Sequence, residues 1–139
     1  MRIMGLDIGT KNIGVAVSDE TGTIAQGREV VRRTSEDSAI TRIERIVEEY
    51  GVAEIVLGLP INMNGTVGER AEDSMKFAKK LEKRTGLPVK LWDERLSTRE
   101  MENIMIKASV RRSRRKEVVD KLAAQIILQS YLESRKSEE

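Results

Sequence analysis

The chain has 139 residues, 39% of them apolar and 35% charged, with no cysteine and no histidine. That length and apolar content predict a single domain, residues 1–139, with a real core. The missing residue types exclude disulfides, thiolate and imidazole metal sites, Ser-His-Asp triads and cysteine nucleophiles. What remains for catalysis is carboxylates, Lys, Tyr, Ser and Thr, or a hard metal held by oxygen ligands.

No apolar run is long enough to span a bilayer. Met1-Arg2-Ile3-Met4 enters a strand at once, without a signal-peptide pattern, so a cytoplasmic protein with no membrane contact is expected. The first two elements flank Gly9-Thr10-Lys11-Asn12, a tight turn between antiparallel strands. Strand alternation sets Met4, Leu6 and Ile8 on one face and Ile3, Gly5 and Asp7 on the other. A carboxylate among such neighbours is costly to bury unless a cation meets it, and Lys11 or a metal ion would serve.

Asp19-Glu20-Thr21-Gly22 is a turn, and residues 23–31 resume strand character, completing a meander. Ser35 to Tyr50 has helical spacing, with Ile40, Ile43, Ile46, Val47 and Tyr50 on one face and Gly51 as its stop. Residues 52–59, almost wholly apolar, read as a strand buried on both sides. Asn62 to Gly65 forms a loop. Thr66 and Glu69 have the spacing of a capping box for a helix to about Thr85, with Ala71, Met75, Ala78 and Leu81 in a stripe.

Val89 to Trp92 is another short strand, ending in Asp93-Glu94-Arg95. A second capping box, Ser97 to Glu100, opens a helix carrying Met101, Ile104, Met105 and Ala108. A basic loop follows, then a last helix from about Arg115 to Ser134 and a polar, frayed tail. An antiparallel opening followed by alternating helices and strands predicts a mixed α/β sheet of about five strands flanked by helices.

Charge is uneven along this order. Residues 107–121 hold seven basic and two acidic side chains, a local +5, within a chain whose total is +2. Such a cluster suits an anionic partner, nucleic acid foremost, although a solvated basic loop has the same composition.

Three acidic positions stand out. Asp7 breaks an apolar strand. Asp93 and Glu94 lie where a strand ends, the usual place for ligands in open α/β sheets. Asp120 falls at the edge of an apolar arc formed by Val119, Leu122, Ala123, Ile126 and Ser130. Carboxylates from such separated segments suit one or two Mg²⁺ or Mn²⁺ ions, and the chemistry they support is phosphodiester hydrolysis. Each also has an ordinary reading: Asp7 pairing with Lys11, Asp93 or Glu94 offsetting a helix dipole, Asp120 pairing with Lys116.

Four blocks in order carry a resemblance. They are Gly5-Leu6-Asp7-Ile8-Gly9-Thr10-Lys11-Asn12-Ile13-Gly14, Val56-Leu57-Gly58-Leu59-Pro60 with Asn62 and Gly65, Trp92-Asp93-Glu94-Arg95-Leu96-Ser97-Thr98, and Asp120 ahead of Ala123-Ala124. Together they make the chain resemble the YqgF-type family, described both as Holliday-junction resolvases and as pre-16S ribosomal RNA nucleases. The resemblance implies an RNase H-like fold, with three antiparallel strands and then two parallel ones. It implies that Asp7, Glu94 and Asp120 are catalytic and bind Mg²⁺ or Mn²⁺, with Asp93 the less certain neighbour. Phosphate contacts are expected from Lys11, Arg95, Arg111 and Arg114, on structured RNA or branched DNA, in a monomer or homodimer.

Two other classes compete. Asp7-Ile8-Gly9-Thr10 also looks like the phosphate loop of actin-like and sugar-kinase proteins, but those need a second such block, which this sequence lacks. A non-catalytic nucleic-acid scaffold is disfavoured by the survival of all three carboxylates. ATP affinity separates the first from a nuclease, and a metal titration of cleavage separates the second.

Overall fold

The structure is a computed structural model. It describes the backbone of residues 1–96 and 112–138, and the side chains of residues 1–95 and 119–135. Three strands open the chain: β1 (Arg2–Ile8), β2 (Asn12–Ser18) and β3 (Ala25–Arg32). Then come α1 (Glu36–Tyr50), β4 (Val52–Leu59), α2 (Glu69–Thr85), β5 (Val89–Asp93), a 3-10 turn over Glu94–Leu96, and α3 (Arg112–Glu138). The sheet order is β3-β2-β1-β4-β5. The first three strands are antiparallel neighbours, and β4 and β5 run parallel to β1. This is the expected mixed sheet.

Helices cover both faces, and alternation along the strands decides what each face offers. Met4, Leu6, Ile8, Ile13, Val15, Ile55 and Leu57 point to the side of α1 and α2 and are fully or almost fully buried there with Ile43, Phe77 and Leu81. Ile3, Ala16 and Val56 point to α3, where they meet Ala124, Ile127, Leu128, Tyr131 and Leu132. Trp92 packs half-buried against this second cluster, its ring edge-on to Tyr131 at 5.7 Å between centroids.

Helix α1 begins and ends as its sequence dictates. The Ser35 hydroxyl accepts from the Ser38 N–H at 3.1 Å, and Gly51 closes the helix at a left-handed φ of 64°. Helix α2 departs from expectation at its start. Thr66 is not its cap, because its hydroxyl and N–H both donate to Asn64 Oδ1 inside the preceding loop. Gly68 caps the helix instead, without a side-chain bond, and Glu72 N–H returns to its carbonyl at 3.1 Å. The buried stripe of α2 is Ala71, Ser74, Phe77, Ala78 and Leu81; Met75 is only half-buried.

Helix α3 also differs. It starts at Arg112 rather than near Arg115, and it continues to Glu138 through the segment expected to fray. The expected apolar arc is rotated: Val119, Ala123 and Ser130 are half-exposed, while Ala124, Ile127, Leu128 and Tyr131 are buried. At about 100° per residue the sheet-facing stripe passes through Asp120, so this acid lies at its heart and not at its margin. The second capping box and its helix, the loop with Lys107, and Arg111 lie outside the described residues. Among the described residues, no helix is long and apolar enough to cross a membrane.

Candidate active site

Asp7 is the penultimate residue of β1 and turns toward the α3 face. Its register partner across β2 is Gly14. On its other side, Leu6 pairs with Leu57, so Gly58 of β4 lies beside Asp7 in the parallel register. Asp7 is therefore flanked on the same face by two residues that have no side chain.

Those glycines make room for two acids. A Cβ on Gly58 would stand 2.7 Å from Glu94 Oε1 and 2.5 Å from Ile127 Cδ1. A Cβ on Gly14 would stand 2.0 Å from the Asp120 carbonyl oxygen. The first position lets the Glu94 carboxyl lie over β4, and the second lets the backbone of α3 rest on β2 at Asp120. Both approaches are too close for any other residue type.

The 3-10 turn after β5 separates the adjacent acids that alternation left open. Asp93 turns out and is held by Arg95, whose Nη2 donates to Oδ2 at 2.7 Å and whose backbone N–H donates to Oδ1 at 2.9 Å. The guanidinium keeps the Asp93 carboxyl below its usual range. Glu94 turns in and is hydrogen-bonded to Asp7. Burial, reinforced by the charge of Asp7 and by that bond, pushes the Glu94 carboxyl up to about 8. Near neutral pH the pair therefore keeps a proton between two oxygens that would otherwise repel.

Among the described residues, no three acidic side chains stand close enough together to enclose a metal ion. The formed element is the Asp7–Glu94 pair, with Asp120 brought by its backbone to the neighbouring strand. Two half-buried carboxyls in contact are nonetheless a donor set that fits a hard divalent cation, which would satisfy both in place of a shared proton.

The turn after Asp7 is braced by a residue that patterning did not single out. Arg33 donates from Nη1 to the Gly9 carbonyl at 3.0 Å, and its backbone N–H donates to the Lys11 carbonyl at 2.8 Å. The same guanidinium makes a two-pronged pair with Asp73 of α2, at 2.6 and 2.8 Å, and lies over the Phe77 ring. Each partner shifts the other: Arg33 is raised, and Asp73 is lowered. Forty residues separate the two, and no local spacing signals such a contact. Lys11 is exposed at the tip of the braced turn. Of the other expected phosphate contacts, Arg95 is engaged by Asp93, Arg111 lies outside the described residues, and Arg114 is on α3 with its side chain outside them.

At the far end of the same face is a second polar cluster that the sequence did not reveal. Glu54 is buried, 6% exposed, inside a strand that otherwise reads as apolar. Tyr131 Oη donates to its Oε1 at 2.6 Å, Lys90 Nζ lies 3.1 Å from the same oxygen, and Arg135 Nη1 lies 3.5 Å from Oε2. Three partners offset the cost of burying that charge.

A β3-β2-β1-β4-β5 sheet with carboxyls at the C-terminal ends of β1 and β5 gives the chain an RNase H-like fold, shared with solved resolvases. Among solved structures, Thermus thermophilus RuvC in complex with a Holliday junction substrate superposes with a TM-score of 0.58 at 15% identity, covering 98% of this chain and 96% of that one. The fowlpox virus Holliday junction resolvase does so with a TM-score of 0.56 at 19% identity, covering 96% and 99%. The chain belongs to the family described as RuvX: Holliday junction resolvase, whose model matches residues 1–134. A relative from Geobacillus sp. (strain WCH70), provisionally named a pre-16S rRNA nuclease, is 56% identical over 137 residues, covering 97% of this chain and 99% of its own. One of the same provisional name from Thermoanaerobacter pseudethanolicus is 51% identical over 138 residues, covering 99% of each.

Proposed function

We propose that the chain is a metal-dependent endonuclease that trims the 5′ end of pre-16S rRNA in the cytoplasm, with Asp7, Glu94 and Asp120 as its catalytic carboxylates. The observation that carries this reading is the direct contact of Asp7, on the central strand β1, with Glu94, just past the edge strand β5, beneath a helix whose backbone rests on Gly14 at Asp120. Family membership and the names of relatives more than half identical support the rRNA substrate. The family description also favours a second reading, cleavage of four-way DNA junctions.

Asp7, Glu94 and Asp120 would hold Mg²⁺ or Mn²⁺, one ion or two. The chemistry a bound ion supplies is a lower pKa for the attacking water and stabilisation of the leaving oxygen. The protein's own contribution is placement. The Gly14 and Gly58 contacts fix the acids against rigid strands, and the Arg33 brace holds the turn that carries Lys11 toward the flanking phosphates. Arg111 and Arg114, in the basic segment, extend phosphate binding beyond the cut.

Asp7→Asn is expected to abolish Mg²⁺- or Mn²⁺-dependent cleavage while leaving the thermal melt nearly unchanged. Unaltered turnover would overturn the assignment. Running a pre-16S rRNA 5′ fragment and a four-way DNA junction side by side decides between the two substrates, since only the true one is cut at a defined bond.

A further inference from the structure

Strand β3 ends on Arg32, and Arg33 follows it; alternation sends the two side chains to opposite faces of the sheet. Arg33 goes to the side of α1 and α2, where Asp73, the Gly9 carbonyl and the Phe77 ring hold it. Arg32 is thereby turned to the face of Asp7 and α3. The register agrees: Val31 pairs with Ile13 in the first core, Arg32 pairs with Asn12, and Val30 pairs with Gly14, the partner of Asp7. The main chain beside Arg32 is tied to the turn that follows Asp7. Arg33 N–H donates to the Lys11 carbonyl at 2.8 Å, and Arg33 Nη1 donates to the Gly9 carbonyl at 3.0 Å. Two strand spacings across and one two-residue step along put the Arg32 Cα roughly 12 Å from that of Asp7.

The arginines around β3 differ in what they are left to do. Arg33 is held by Asp73, Arg42 by Glu29, and Arg28 lies over the Tyr50 ring at 5.3 Å. Arg32 is exposed and makes no ion pair among the described residues. Helix α3 adds positive charge on the same side. It passes from Gly5, beside Leu128, to Gly14, beside Asp120, so its earlier turns run on beyond the row of Asp7. Those turns carry Arg112, Arg114, Arg115 and Lys116.

We propose that Arg32 is a substrate-positioning residue whose guanidinium binds a phosphate of the nucleic acid on the β3 side of the one attacked at Asp7. The bound strand then leaves the acids across the turn between β1 and β2. The planar fork suits two phosphate oxygens, and the bonds from Arg33 fix the base of the Arg32 side chain against the catalytic turn. The proposal rests on the active-site reading above.

The test uses the full chain, with a fluorescently labelled four-way DNA junction as the probe for metal-free binding across a salt series. Cleavage is measured separately in Mn²⁺ on the substrate that the parent cuts. Arg32→Ala is expected to lower the log–log salt slope by about 0.9, one phosphate contact on duplex DNA. Its kcat/KM should fall about ten- to a hundredfold, the rate equivalent of a lost bond to a charged group. Arg32→Lys should recover the slope, because it keeps the charge, and only part of the rate, because it loses the fork. Arg28→Ala removes the same charge from the same strand and should keep the parent slope. An equal loss there would show that net charge is read rather than position, and overturns the proposal. So does a lower melting temperature in Arg32→Ala with the slope unchanged, the mark of a structural role. An unchanged slope and rate in Arg32→Ala, with Asp7→Asn inactive, overturns the proposal and leaves the active site standing. Full cleavage by Asp7→Asn overturns both.

Discussion

On the side of α1 and α2, Leu6, Ile13, Ile55 and Leu57 meet Phe77 and Leu81 in a core of large side chains. On the side of α3, Gly5, Gly14, Gly27 and Gly58 present bare backbone, and the helix descends until its own main chain touches the strands. A Cβ at Gly5 would lie 2.6 Å from Leu128 Cβ, and one at Gly27 would lie 3.1 Å from the Lys121 carbonyl. The first face buries large apolar surface, the main source of folding free energy. The second gives up side-chain burial for close approach, and close approach is what lets Glu94 lie over β4 against Asp7 and the backbone of α3 rest on β2 at Asp120.

If that division holds, Leu81→Ala costs about 2–5 kcal/mol of stability, as deletion of a fully buried leucine does. Turnover per folded molecule should not change, and chemical denaturation beside an assay below the transition reads both. A fall in turnover of the folded fraction would blur the two roles. Gly14→Ala is the converse: strain of about 1–3 kcal/mol from overpacking, joined by a rate loss of roughly a hundredfold, since Asp120 must move off the strand. A variant that loses stability but keeps full rate would detach the glycine from the site.

Tyr131→Phe probes the end of α3 remote from Asp120, about 16 Å along the helix. Leaving Glu54 short of one donor should cost about 1–3 kcal/mol with cleavage intact, measured by thermal melts and by rate. The smallest effect concerns Asp19, whose carboxyl is lowered to about 2 by bonds from the Thr21 hydroxyl and the Thr23 and Ile24 N–H groups. A lowered folded pKa gives stability that is complete above the unfolded value near 4 and lost as pH falls through about 2. Asp19→Asn should therefore melt below the parent at pH 7, and the gap should close near pH 2. A gap that persists there would mean the bonds do not depend on ionisation.

Much of the fold was legible because strand alternation and helical spacing record burial directly. Ile40, Ile43 and Ile46 mark the inner face of α1, and Ile3, Gly5 and Asp7 mark the α3 side of β1. Thr66 misled because a hydroxyl before a helix has competing partners in an asparagine-rich loop, and Asn64 won. The arc of α3 was misjudged for a similar reason. Its sheet-facing stripe contains Asp120, Gln125 and Gln129, and the two glutamines bond the exposed edge of β3 at Gly27 and Ala25. Polar residues that face inward look like solvent positions to any apolar count. Which of Asp93 and Glu94 meets Asp7 depends on the path of the 3-10 turn, and the Arg33–Asp73 brace depends on tertiary contact, neither of which local spacing records.

Asp120 comes to the sheet only on α3, which follows all five strands in chain order. Under the proposed chemistry the strands and their turns supply two of the three acids, and the third arrives only when the helix has packed down on the glycines of β1, β2 and β4.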